Sequence, residues 1–393
     1  MGKWKSAAVG FVCGAIFFSG ITYAATGAVG IDVYFRNIQY YFDGTNKQPS
    51  HDLQGFIYKD TTYVPLRFMS ESLGKPVSWD DATSSIFVGD KPIQKPTPAP
   101  APTPEQPNPS TGGSAALQAF PADNPWNTDI SQYPVHQNSK NFMASIGLNT
   151  SVHADFGTVW EGAPIGIPYT IVGSDQPKVK VTFTDYGDES DPGPYPIPAN
   201  APIEGGPNSD GDRHVIVVDK DNQLLYELYN AHPTSDGWKA SNGAKWDLKS
   251  NAMRTKYWTS ADAAGLPIFP GLVRYEEAAS GEINHALRFT VQRTQRGFVA
   301  PATHYASNST DPNLPPMGLR LRLRADFDIS GFSPTNQAIL RAMKKYGMIV
   351  ADNGSNLYVS GAPNPKWDDD DLHELGRLKG NVFEVVDTGP IEK

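Results

Sequence analysis

A histidine and a glutamate interrupt an apolar stretch, "HVIVVDKDNQLLYELYNA" (214–231), that reads as two strands around a polar turn. Side chains alternate along a strand, so His214, Ile216 and Val218 share one face. A two- or four-residue loop within Lys220 to Gln223 sets His214 opposite Tyr229 and Ile216 opposite Glu227, gathering His214, Glu227 and Tyr229 on that face. A three-residue loop sends Glu227 to the other face. The even loop is the expectation here. Glu227 is then the candidate acid/base carboxylate, its pKa raised by burial, and His214 or Tyr229 orients it. Asp212 in "NSDGDRH" is the candidate second acid, because glycosidase carboxylates work in pairs roughly 5–9 Å apart. The competing reading gives Glu227 a structural ion pair with Arg288, Arg320 or Arg322. Asp210 reads as a turn residue bonding its own backbone.

Other residue types suit a sugar. Trp246, Asp247 and Asn251 in "GAKWDLKSNAMR", and Asp352 and Asn353 in "ADNGSN", combine an aromatic platform with hydrogen-bonding groups. Tyr229 and His285 join them as candidate substrate contacts. Trp238, Trp258 and Trp367 read as core residues or platforms. A metal reading draws His285 and His304 together with His214 and Glu227. No two histidines stand two, three or four apart, so no metal cofactor is expected, whether a transition metal or calcium at 208–214, which lacks EF-hand spacing. "WDDDDL" (367–372) reads as a solvated turn or helix start. The chain has no G-x-S-x-G elbow, no H-E-x-x-H helix, no phosphate-binding G-x-x-x-x-G-K and no dinucleotide fingerprint.

The elements that must position these residues read as mainly β. Strand-like runs are "KVKVTFTDY", "HVIVVD", "LLYELYNA", "HALRFTVQ", "LRLRLRADF", "GMIVAD" and "NLYVSG", separated by turn clusters. The 36 Gly, 34 Pro, 17 Tyr and 8 Trp agree with a loop-rich β protein. One helix is well specified: Ser333 caps, Pro334 starts, Ile339, Leu340 and Met343 form the stripe, and Gly347 stops it. A second helix is expected from Ser260 in "SADAAGLP". The fold class expected for 118–393 is a β-sandwich or jelly-roll-like domain with one or two helices.

Residues 1–25 have the layout of a secretory signal peptide: Lys3 and Lys5, an apolar stretch, and a small-residue site at Thr22–Ala24. The only cysteine, Cys13, lies inside this stretch, so the mature chain has no thiol and no disulfide. Removing Lys3 and Lys5 from 33 basic residues leaves 31 against 42 acidic ones, a balance of about −11. That balance, with no basic block, excludes nucleic acid as a partner; after cleavage no membrane span is expected either. "KPTPAPAPTPEQPNPSTGGS" marks a linker over 91–117. It separates a small module at 28–90 from the large domain at 118–393.

The small module carries "YYFDG", "YVPLRFMSESLG" and "VSWDDATSSIFVG", and in these it resembles the copper amine oxidase N-terminal-like, or stalk, domain of secreted Gram-positive proteins. The residues read as a short helix, Arg67 to Leu73, stopped by Gly74, then two strands. The resemblance implies a spacer or wall-proximal module. Only His51 could ligate copper there, so no metal is expected. The large domain, in "DAAGLPIFPGLVRYEEAASGEINHALRFTV" and "PPMGLRLRLRADFDISGF", resembles a domain recurring in exported bacterial proteins, which implies export and no particular reaction. Together these readings give a secreted, cell-wall-associated glycoside hydrolase acting on a polysaccharide through a carboxylate pair. The rivals are a non-catalytic glycan-binding or envelope protein and a metal-dependent enzyme using the histidines.

Overall fold

The computed structural model describes residues 33–36, 38–42, 44–49, 55–58, 61–75, 77–80, 85–89, 119–160 and 162–393. Cys13, His51, the expected signal segment and the expected linker lie outside them. The chain divides into two units, Met1–Lys95 and Pro96–Lys393. Among the described residues no helix is long and apolar enough to cross a membrane.

In the small unit, Tyr34–Phe35, Phe56–Tyr58 and Thr61–Tyr63 form an antiparallel sheet, and Tyr40–Phe42 pairs with Thr45–Lys47. The short helix runs Leu66–Ser72, one residue earlier than expected, with Pro65 at its N-cap. Gly74 follows at φ +71°, a backbone region that glycine enters without strain. Phe68 on this helix meets the buried rings of Tyr40 and Phe42 edge-on at 5.3 and 5.7 Å. The two strands after it are Val77–Asp80 and Ser85–Val88.

The large unit is mainly β, and each of the strand-like runs in its sequence contains a strand. A four-stranded sheet has the order Tyr169–Val172, Val215–Asp219, Leu224–Tyr229, Asn242–Asp247; its first pair is parallel and the others antiparallel. A six-stranded mixed sheet has the order Phe383–Val386, Arg320–Leu323, Met348–Asn353, Leu287–Val291, Tyr358–Ser360, His153–Asp155. A three-stranded sheet joins Lys180–Phe183, Gly237–Ala240 and His232–Thr234. Alternation divides the four-stranded sheet between two cores. Ile216, Val218, Leu225, Ala244 and Trp246 share the main core with the six-stranded sheet. Val215, Val217, Tyr226 and Leu228 pack on the other side against Trp238 and Ala240 of the three-stranded sheet.

The helix Pro334–Lys345 is capped as its sequence requires: Ser333 Oγ accepts from Asn336 N at 3.1 Å, and Ile339, Leu340 and Met343 are buried. No helix forms from Ser260. The Ser260 hydroxyl accepts from Asp262 N at 2.9 Å and donates to the Leu266 carbonyl at 2.6 Å, closing a compact loop instead. A serine side chain that bonds nearby backbone competes with helix. This loop, continuing through Phe269, is wedged between the four- and six-stranded sheets, and the candidate site is built around it.

Candidate functional site

The hairpin after His214 closes with a four-residue loop. Asp219 lies opposite Leu224, and Ile216 opposite Glu227. The Asp219 carboxylate accepts from Asn222 N at 3.0 Å and from Asn222 Nδ2 at 2.7 Å, and Gln223 takes φ +55°, which fixes the even loop. His214 and Tyr229 are neighbours, with ring centroids 5.8 Å apart. His214, Glu227 and Tyr229 thus share the face turned towards the 260–269 loop.

Glu227 does not line a cleft, which corrects the role assigned from sequence. Its side chain is 0 % exposed, and its two oxygens accept the Ile268 N–H at 3.0 and 2.9 Å and the Phe269 N–H at 2.8 Å. Burial pushes its carboxyl up to about 7, against those N–H bonds. It is a brace for a backbone turn. None of the three arginines proposed as its partner pairs with it: Arg288 takes Asp262, Arg322 takes Glu384, and Arg320 donates to the Tyr346 and Pro125 carbonyls.

His214 braces the same loop. Its Nδ1 donates to Glu204 at 2.6 Å and its Nε2 to the Ala261 carbonyl at 3.0 Å. Burial opposes its charge, but the Glu204 carboxylate outweighs that and holds the imidazole at about 9. Burial likewise opposes the charge of Glu204, and His214 overcomes it, so Glu204 falls below the ordinary carboxylate range. The two form an ion pair. Arg288 is a third brace: Nε and Nη2 reach Asp262 at 3.0 and 2.9 Å, and Nη1 donates to Ser360 Oγ at 2.6 Å.

Among the described residues, the one group able to gather around a metal is Glu204, Asp212 and His214, whose ligand atoms lie within 4.8 Å of one another. Both nitrogens of His214 act as donors there, so it has no lone pair for a metal. The convergence of His214, His285 and His304 that the rival metal reading required does not occur. His285 donates to the Ala286 carbonyl at 2.8 Å and to Glu277 at 3.1 Å, and His304 bonds the Ala263 carbonyl at 2.7 Å. His285 is therefore withdrawn as a substrate contact as well. Asn353 also turns away, accepting from Thr294 and donating to the Val291 carbonyl. Asn251 spans Asp123 and Asn124 as a tie between segments.

Asp352 arrives at the site through a β-bulge. Phe289 pairs with Val350 but Thr290 pairs with Asp352, leaving Ala351 as the extra residue. Strict alternation from Met348 and Val350 would put Asp352 on the side opposite Arg288; the bulge brings it round. The Ala351 carbonyl accepts from Ala264 N at 3.0 Å, docking the loop on the bulge. Asp352 Oδ2 then lies 3.6 Å from Arg288 Nη2. The ladder continues across the sheet: Thr290 lies opposite Tyr358 and Tyr358 opposite His153, while Ser360 lies opposite Asp155. His153, Asp155, Tyr358 and Asp352 therefore share one face.

Five carboxyl groups, from Asp155, Glu204, Asp212, Asp262 and Asp352, surround two cations, His214 and Arg288. The Asp352 side chain is 26 % exposed and that of Glu204 24 %, yet protein packs closely around both. Burial, then the nearby Asp262, pushes Asp352 up to about 7 despite Arg288. Burial raises Asp155 too, with Glu204 and Asp212 adding repulsion against the relief from His153. The Tyr229 hydroxyl is raised by burial and then by Asp212 and Asp352. Among the described residues, the carboxylates of Asp155 and Asp212 and the Tyr229 hydroxyl make no hydrogen bond to the protein. Both cations are committed, and several acids are open.

Asp155, Glu204, Asp262 and Arg288 were not singled out from sequence as site residues. Arg288 carried a usable signal, a charge inside the largely apolar strand "LRFTV". Trp246 is buried among the main-core residues. With Asp247 it lines a separate cavity of about 210 Å³, in which Arg254 lies over the rings of Trp246 and Trp258 at 5.6 and 5.9 Å.

Residues 23–94 match the family model for the copper amine oxidase N-terminal domain. The small unit is thus similar to that stalk-type module. Its matched residues hold one histidine, His51, and no cysteine, a donor set that does not fit copper. No curated protein and no solved structure matches the chain.

Proposed function

We propose that the large unit is an exported glycoside hydrolase that cleaves an extracellular or cell-wall polysaccharide, with Asp352 as its proton donor. The observation that carries this reading is the bulge at Ala351, which turns the partly exposed Asp352 to the face that bears Arg288. A carboxyl poised near 7 can hold a proton at neutral pH and give it to a leaving oxygen. Asp212, open at the mouth of its strand, is the partner that activates water. Two carboxyls whose environments differ are what glycosidic hydrolysis needs. Glu227 leaves the catalytic set.

In this reading the sheets stack as a sandwich around the main core, and the cleft opens where the bulged strand meets the 204–214 segment. The stalk-type unit holds the catalyst at a wall or polymer. The full chain should release new reducing ends from at least one member of a polysaccharide panel. Asp352→Asn should lower that rate by about 10²- to 10⁴-fold with an unchanged melting temperature. Full activity in Asp352→Asn, or no reducing ends from any substrate, would overturn the proposal.

A further inference from the structure

A cavity of about 370 Å³ opens on the same sheet face, lined in part by Ser151, His153, Asn356, Tyr358 and His373. His153 stands two residues before Asp155 on one strand, about 7 Å along it and on the same side. The cavity therefore adjoins the acid cluster. No carboxylate lines it, although the chain carries a net charge of −9.

Its polar groups form a donor-rich set. The Asn356 amide oxygen already accepts Gln292 N at 2.7 Å, leaving the amide N–H groups. Ser151 Oγ accepts from the Lys379 ammonium, leaving the hydroxyl proton. The rings of His153 and His373 and the hydroxyl of Tyr358 make no hydrogen bond among the described residues. His153 and Tyr358 touch with ring centroids 4.2 Å apart and planes tilted by 34°, an aromatic wall against which a sugar ring can rest. Each of these groups can turn a donor towards a carboxylate, and no carboxylate in the lining repels one.

We infer that this cavity binds a hexuronate residue of the polysaccharide, beside the bond that Asp352 protonates. Only that placement rests on the hydrolase reading; the binding itself does not. The sugar carboxylate sits among Asn356, Ser151 and the two imidazoles, and Lys379 at the rim adds a positive charge.

Calorimetric titration of the full chain tests this. The probes are uronate tetrasaccharides of gluco, galacto and manno configuration, each beside its carboxyl-reduced counterpart. One acidic tetrasaccharide should bind at least about ten-fold more tightly than its reduced form, a difference of about 1.4 kcal/mol. His153→Ala and His373→Ala should each cut that preference to under about three-fold. His373 is exposed on its helix, so its variant should keep the wild-type melting temperature and remain interpretable. Equal affinity for acidic and reduced forms in every series, or a preference that both variants retain, would overturn the inference. An acid preference without any release of reducing ends would uphold the cavity and remove only the hydrolase reading.

Discussion

Replacing Glu227 by glutamine separates a brace from a catalyst. The buried carboxyl is held at about 7, against an ordinary value of 4.5. Because the folded-state value is raised, its contribution to stability is complete below about pH 4.5 and is lost as pH rises through 7. At about 1.36 kcal/mol for each tenfold change in proton affinity, the loss is about 3 kcal/mol. Glutamine does not titrate and keeps one oxygen for the Ile268 and Phe269 N–H groups. Its amide nitrogen must then face the Ile268 N–H, which costs about 1 kcal/mol. Glu227→Gln should therefore be less stable than wild type by about 1 kcal/mol at pH 4.5 and more stable by about 2 kcal/mol at pH 8.5. Urea unfolding at the two pH values measures the difference, in which the titration of all other groups cancels. Turnover should stay within about three-fold of wild type, against the 10²-fold or greater loss typical of a deleted general acid. A pH-independent stability difference together with such a loss would show that Glu227 moves protons after all.

The other buried acids yield predictions of different sign. Glu204→Gln removes the main carboxylate that keeps His214 charged, so the His214 imidazole, followed by NMR, should titrate well below about 9, with only Asp212 left to oppose burial. Wild type should be more stable by about 2 kcal/mol at pH 6, an advantage that fades as pH rises through 9. Burial opposes the charge of Glu277, but Arg274 and His285 hold it down at about 2. This contribution is present above pH 4.5 and is lost as pH falls towards 2, so Glu277→Gln should melt earlier than wild type at pH 6 and converge with it near pH 2.5, by about 3 kcal/mol in all.

Local pattern specified the mainly β class of the large unit and the faces of its central hairpin. Alternation in "HVIVVD" and "LLYELY" divides residues between two cores as the structure divides them, and Asp219 with Asn222 encodes the loop that sets the register. In "SADAAGLP" the helix-favouring alanines lost to Ser260, whose hydroxyl bonds Asp262 N and the Leu266 carbonyl. That outcome depends on what the loop docks against. Propensity within eight residues carries no information about Arg288 or Ala351.

The candidate site was legible as a set of anomalies and not as a mechanism. Charged groups inside apolar strands mark a demand for partners, and sequence cannot tell whether those partners are substrate atoms or peptide groups elsewhere in the chain. Here His214, Glu227, Arg288 and His304 all spend hydrogen bonds on residues 261–269, a loop that brings its peptide groups between two sheets and must have them satisfied. Their burial serves that loop. Asp352 had the opposite history: it was visible as a residue type, but its face depends on one extra residue in a parallel pairing, which period-two reasoning does not anticipate. The two effects share a cause. The loop docks on the bulge through Ala351, so the braces that fix the loop also fix the direction in which Asp352 points. An isosteric change such as Glu227→Gln keeps an oxygen on the Phe269 N–H and so leaves Asp352 in place, whereas losing the bond from Ala264 N to the Ala351 carbonyl would free the bulge and let Asp352 turn.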